Sequence, residues 1–243
     1  MEVTFKIFRF DPKLENSPHY DTFKVEASPN DRLLDCLNKI RWEKDPSLAY
    51  RMSCAHGICG SDGMTVNGVA ALACQKLVKD FVGSEEIMIE PLRFFPVIKD
   101  LVVDMELFFQ RQKDVHPMNI EGMIDVKEAR ERLQSEAERA QFNEAIKCIS
   151  CACCTASCPM NLRDDPKFIG PAAILRAQRY IFDSRLKSPL ERMKVMDRPH
   201  GIWSCMSHFK CTYVCPKKIK VTRTILQTKV RILHELHPFN NEG

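Results

Sequence analysis

Five of the chain's twelve cysteines fall within residues 148–158, and four of these follow the spacing Cys148-x2-Cys151-x2-Cys154-x3-Cys158-Pro159. That is the bacterial run that wraps iron–sulfur clusters, in which the fourth cysteine ligates the other cluster of a two-cluster module. A partner run exists downstream. Cys205-x5-Cys211-x3-Cys215-Pro216 is the same motif without its second cysteine, and His208 holds that position. By the crossover rule Cys148, Cys151, Cys154 and Cys215 hold a [4Fe–4S] cluster. Cys158, Cys205 and Cys211 then hold a second cluster. Three thiolates suit [3Fe–4S]; imidazole ligation by His208 would complete a [4Fe–4S] instead. Cys153 lies off the spacing and reads as a small buried thiol.

A third arrangement lies upstream: Cys54-x4-Cys59-x2-Asp62-x11-Cys74. C-x4-C-x2-C…C is the plant-type [2Fe–2S] spacing. Asp62 stands at the third ligand position, and its carboxylate can ligate iron. Gly57, Gly60 and Gly63 let the backbone close around a cluster. The competing reading makes Cys54 and Cys59 a zinc half-site. His56, inside the loop, reads as a solvent-facing or hydrogen-bonding residue rather than a ligand. In total ten cysteines and one aspartate are assigned, and Cys36 and Cys153 are left as packing thiols.

This pattern excludes a secreted disulfide scaffold, in which a short chain carries dispersed cysteines. Here 243 residues suffice for a core without staples. Metal-bound thiolates in a reducing compartment fit best. The residue-3 strand leaves no room for a signal peptide, and no run approaches the 18 or so apolar residues of a membrane helix. The net charge of +4 sits in the tail, where 216–243 carry six basic side chains against two acidic ones. Such a tail suits an acidic partner, anionic lipid or nucleic acid, or is simply a solvated helix face. No nucleophile–base pair, phosphate loop or dinucleotide fingerprint is present.

Alternating patterns predict strands at 3–9, 20–27 and 85–90, and Asn67-Gly68 predicts a hairpin. Leu33, Leu34, Leu37 and Ile40 predict a helix over 30–40, capped by Ser28 or Asn30, with Cys36 inward. Pro91 and Pro96 bracket a linker. Beyond it, helices are predicted at 100–114, 125–147, 171–183 and 221–236. The helix 125–147 has Ala129, Leu133, Ala137 and Ala140 along one side; the last has Ile225, Leu226, Val230 and Leu233 inward. The expected fold class is α+β: a compact strand-and-helix unit over 1–95 and an all-helical unit over 96–243.

The runs SCAHGICGSDGMTVNG…LAC, CISCACCTASCP, KFIGPAA and C-x5-C-x3-CPK together resemble the iron–sulfur subunit of succinate:quinone oxidoreductase and quinol:fumarate reductase, over residues 3–235. The resemblance implies an N-terminal β-grasp plant-type [2Fe–2S] ferredoxin domain over 1–95, a C-terminal all-α bacterial-type ferredoxin domain over 96–243, and electron relay between the FAD of a flavoprotein and membrane quinone. It implies membrane-anchor subunits, often with haem b, and covalent FAD in the partner. It implies a peripheral place on the cytoplasmic face of the bacterial inner membrane and no nucleic acid. Asp at the third [2Fe–2S] position is a variant within the family. Pro159 matches a residue beside the [3Fe–4S] cluster and quinone, and Lys229 a lysine near the membrane surface. Two family tryptophans correspond to Leu162 and Arg163. A family histidine corresponds to Met206, and His208 replaces an aliphatic residue. His208 or Arg163 is therefore expected to supply polar function at the quinone end. The other readings are the iron–sulfur subunit of a different flavoprotein reductase, a soluble multi-cluster ferredoxin, and a zinc-stabilised nucleic-acid binder.

Overall fold

The computed structural model describes residues 1–14, 16–115, 133–186 and 189–238. The chain forms two compact units. The first comprises Met1–Met105, Ile149–Ser157 and Val214–Pro216, and the second the remainder. The units therefore do not follow the single cut at 95/96 expected from the prolines.

The first unit is built on a five-stranded sheet, with β1 (Glu2–Arg9), β2 (His19–Glu26), β3 (Gly63–Val66), β4 (Val69–Leu72) and β5 (Ile87–Glu90) in the order β2-β1-β5-β3-β4. β1 and β5 run parallel and the other pairs antiparallel. This is the β-grasp arrangement. Its helix α1 (Leu33–Glu43) places Leu33, Leu34, Leu37 and Ile40 in the core with Phe5, Ile7 and Ile89. Each such side chain contributes roughly 1.5–3 kcal/mol by leaving water. Cys36 joins them, and burial pushes its thiol up to about 11, so it stays protonated and inert. The helix starts later than expected. Arg32 is its N-cap residue, and the Asp35 carboxylate accepts from the Arg32 backbone N–H at 3.1 Å. Asn67 (φ 45°) and Gly68 (φ 80°) make the tight turn of the β3–β4 hairpin.

The helix expected from residue 100 begins only at α2 (Glu106–Asp114); before it lie β6 (Val97–Lys99) and β7 (Val102–Val103). Asp100 decides this. Its buried carboxylate accepts from the backbone N–H of Phe10 (3.0 Å) and Ala49 (2.9 Å) and from Arg9 Nε (3.2 Å). Arg9 also pairs with Asp21 (2.8 Å) and with Asp45, and donates to Ser47 (2.7 Å). These charge-assisted bonds outweigh a few tenths of a kcal/mol of helix propensity.

The second unit is helical. α6 (Pro171–Ile181) packs against α2, α4 (Asn143–Ile146), α7 (Pro189–Met196) and α9 (Val221–Leu236). Within the expected helix 125–147, residues 125–132 lie outside the described residues. The rest is broken into α3 (Glu136–Ala140) and α4, because Phe142 leaves helical geometry at φ −125° to bury its ring. Leu133, Ala137 and Ala140 are exposed, and Phe142 and Ala145 are buried instead. The inward face of α9 also differs from the expectation. Ile225 is buried with Val221, Thr224, Thr228 and Ile232, while Leu226, Val230 and Leu233 are exposed. The threonines close their own bonds to the helix backbone, as Thr228 does to the Thr224 carbonyl at 2.9 Å, so they enter the core at little cost. No helix among the described residues is long and apolar enough to cross a membrane.

Candidate metal centres

The first centre is an irregular loop between α1 and β3. Cys54 Sγ accepts from the backbone N–H groups of Cys59 (3.2 Å), Ile58 (3.4 Å) and His56 (3.5 Å), and Cys59 Sγ from that of Cys54 (3.5 Å). Gathering so many N–H groups on one sulfur needs sharp reversals, which Ala55 (φ 58°), Gly57 (φ 76°) and Gly60 (φ 70°) provide. A Cβ on Gly57 would stand 2.1 Å from the Gln75 amide nitrogen, so Gln75 closes the loop only over a glycine. Arg32 ties the loop to α1 by donating to the Ala55 carbonyl at 2.5 Å. His56 Nδ1 sits against the Cys54 carbonyl, a loop hydrogen bond. The backbone bonds, that of His56 foremost, pull the Cys54 thiol down to about 6, the direction that favours a thiolate ligand.

Asp62 is 2% exposed. One of its oxygens accepts from the Cys74 backbone N–H at 2.6 Å; the other is buried with no hydrogen-bond partner among the described residues. A buried carboxylate oxygen without a donor is costly unless a cation meets it. Asp62 thus fits the third ligand position. Burial, and then the Asp62 carboxylate, push the neighbouring Cys74 thiol up to about 12, so a ferric cluster must displace that proton on binding.

Of the second set, Cys151, Cys154 and Cys215 lie in the first unit, and Cys148 is the last residue before it. Left-handed Ser150 (φ 53°) and Ala152 (φ 64°) flank Cys151, and the short helix α5 (Cys153–Ala156) starts just after. Cys153 is fully buried. Its sulfur and that of Cys151 share a hydrogen bond, which pulls the Cys151 thiol down and holds Cys153 well above its ordinary value. Cys153 is therefore paired with the Cys151 sulfur and does more than fill space. Its segment lies directly on the first loop: a Cβ on Gly60 would stand 2.8 Å from Cys151 Cβ, and one on Gly63 3.0 Å from the Cys151 carbonyl oxygen.

The third set lies in the second unit. Cys158, Cys205 and Cys211 line one small surface cavity together with Pro159, Met206 and His208. Burial raises the Cys158 thiol, and the charges of Cys211 and Cys205 add to the effect. Thr222 Oγ1 lies 3.5 Å from Cys211 Sγ. Lys229 stands behind the cavity, donating to the Cys205 carbonyl at 2.7 Å, with its ammonium 5.7 Å from the Trp203 ring centre. Arg163 is exposed on a turn of π-helix, Met160–Asp164, that follows Pro159. Among the described residues no three ligating side chains meet at a single-ion point. Clusters need no such point, because no cluster iron takes three protein ligands.

Residues 4–110 match the model of the 2Fe-2S iron-sulfur cluster binding domain, and residues 144–219 that of the 4Fe-4S dicluster domain. The chain is 40% identical over 237 residues to the succinate dehydrogenase iron-sulfur subunit of Coxiella burnetii, covering 96% of this chain and 98% of that one. The chain belongs to the family of succinate dehydrogenase and fumarate reductase iron–sulfur subunits. It is 35% identical over 238 residues to the fumarate reductase iron-sulfur subunit of Haemophilus influenzae, covering 94% and 92%. A chain of the Mycobacterium smegmatis Sdh1 complex in the apo form superposes with a TM-score of 0.85 at 25% identity, covering 98% of each. The subunit is thus an electron-transfer component of an oxidoreductase complex, and the zinc and nucleic-acid readings fall away.

The roles of Arg32, Gln75 and Cys153 were not visible in the sequence. Each acts through a neighbour brought up by folding, and none has a motif of its own.

Proposed function

We propose that the subunit carries electrons between the FAD of a flavoprotein partner and membrane quinone through three clusters. The [2Fe–2S] cluster is held by Cys54, Cys59, Asp62 and Cys74. The [4Fe–4S] cluster is held by Cys151, Cys154 and Cys215, with Cys148 completing the set by the spacing of its motif. The [3Fe–4S] cluster is held by Cys158, Cys205 and Cys211. The observation that carries this reading is the Gly60–Cys151 approach, which puts the first and second ligand loops in van der Waals contact. Two centres so placed exchange electrons without an intervening carrier.

The cavity of the third set marks the quinone end. Its rim exposes Met206 (66%) and Phe209 (58%), and Leu162 and Trp203 are partly exposed nearby. An apolar rim of this kind suits docking on membrane-anchor subunits, which hold quinone and haem b. The subunit itself is then peripheral, on the cytoplasmic face of the bacterial inner membrane, with the basic tail toward the anchor or lipid head groups. Arg163 and His208 are the polar side chains available there, beside Pro159, Met206 and Lys229.

The test is a low-temperature EPR redox titration of the purified complex, joined to kinetics of Arg163→Ala and His208→Ala. Three distinct cluster signals are expected, with quinone-linked turnover lowered and succinate-to-dye activity kept. Fewer than three clusters in the unmodified complex would refute the assignment. Unchanged quinone kinetics in both variants would refute the quinone-end roles.

A further inference from the structure

The two bacterial-type runs are one local structure repeated after 57 residues. Cys148, Cys151, Cys154, Cys158 and Pro159 recur as Cys205, His208, Cys211, Cys215 and Pro216. The backbone recurs with them. Left-handed Ser150 (φ 53°) and Ala152 (φ 64°) flank the second ligand of the first run, and left-handed Ser207 (φ 57°) and Phe209 (φ 60°) flank His208. α5 begins at Cys153, and α8 (Lys210–Tyr213) begins 57 residues later.

Left-handed geometry costs a residue with a side chain roughly 1–2 kcal/mol, and for a bulky one such as phenylalanine it is a genuine outlier. One such residue on each side of His208 gives position 208 the backbone that Cys151 has in the first run. Its imidazole is a good ligand for iron. His208 lines the same cavity as Cys158, Cys205 and Cys211 and is itself exposed, so an iron ion from solvent can reach it.

We propose that His208 is the ligand for a fourth, exchangeable iron at the third cluster. The proposal rests on the three-thiolate reading above. One electron, delivered along the relay, takes [3Fe–4S]+ to [3Fe–4S]0. This cluster then binds Fe2+ to give [4Fe–4S]2+. Bonds form from the iron to three cluster sulfides and to neutral imidazole nitrogen, and water ligands leave the incoming iron. Loss of one electron to an oxidant returns [3Fe–4S]+ and Fe2+. Because potential follows cluster type, iron uptake resets the last step of the relay, and the subunit responds to iron supply and redox poise together.

The experiment uses the complete complex and EPR. Oxidised wild type shows the [3Fe–4S] signal; reduction with added Fe2+ and return to mild potential abolishes most of it, and ferricyanide restores it. His208→Ala keeps the signal throughout. His208→Cys restores the full motif and loses the signal as wild type does, or lacks it from the start. Wild type that keeps its signal as His208→Ala does overturns the proposal. If neither variant assembles, unmodified complex given 57Fe2+ decides. Mössbauer spectra must place the label in a cluster, and pulsed EPR of the reduced cluster must show a histidine nitrogen coupling that shifts with 15N-histidine; absence of either overturns it. A wild-type complex with no third cluster of any kind would instead sink the underlying functional reading.

Discussion

Gly60→Ala tests whether the two first ligand loops depend on bare backbone contact. The added methyl meets two obstacles. Gly60 has φ +70°, where alanine is disfavoured by roughly 1 kcal/mol or a little more. Its Cβ would also lie 2.8 Å from Cys151 Cβ, 3.1 Å from Cys151 Cα and 3.2 Å from the Ile149 carbonyl oxygen. These neighbours are backbone or fixed near it, so they cannot swing away. Overpacking of this type costs about 1–3 kcal/mol. The sum is about 2–4 kcal/mol. Gly83 separates the two effects: its φ is +94°, and an added Cβ meets nothing within 4 Å. Gly83→Ala should therefore cost only the backbone part, about 1 kcal/mol. At roughly 4 °C per kcal/mol, melting of the cluster-loaded protein falls by about 8–16 °C for Gly60→Ala and about 4 °C for Gly83→Ala. Circular dichroism reads the melt, and EPR reads whether the first and second clusters are lost together. Equal melting of the two variants would refute the contact argument.

Cys153→Ala removes a hydrogen bond to a ligand sulfur and should lower the midpoint of the second cluster alone, while Cys153→Ser keeps a donor and stays near wild type; EPR redox titration decides, and equal shifts in both variants would count against it. Asp100→Ala takes the acceptor from two backbone N–H groups and one of three carboxylates from the buried Arg9, which keeps Asp21 and Asp45, for a loss of about 2–4 kcal/mol in denaturant titration. The Asp183 carboxylate is held below its usual range, first by the Arg185 fork at 2.8 and 2.9 Å. Its folded pKa lies below its unfolded one, so its stabilisation is present above about pH 4 and is lost as pH falls through the folded value. The stability gap between wild type and Asp183→Asn should accordingly narrow between about pH 4 and pH 2; a gap independent of pH would rule this out.

Much of the site was legible because ligand spacing is a local property. Four cysteines at fixed offsets with a proline specify a loop that wraps a cluster whatever surrounds it, and Asn67-Gly68 specifies its turn in the same way. The helix at 171–183 was equally plain, with Pro171 at its first turn and apolar side chains at helical spacing. Misreadings arose where distant residues compete for one segment. Residues 97–104 have no pattern that forbids helix, and only Asp100 reaching Phe10, Ala49 and Arg9 settles them as a hairpin. On α9 hydrophobicity points to Ile225, Leu226, Val230 and Leu233 as the inward face, but threonines that satisfy their own hydroxyls can be buried as well, so hydrophobicity alone does not say which face turns inward.

The family was thus legible in the sequence alone, and the proposed ligands and clusters rest on residue type and on separations along the chain. Tertiary structure decided how those ligands are presented. It put Gly60 against Cys151, left one oxygen of Asp62 without a donor, and paired the Cys153 sulfur with that of Cys151. It also gave His208 the same left-handed neighbours as Cys151. Each of these depends on which atoms folding brings within a few ångströms, and spacing along a chain does not encode that.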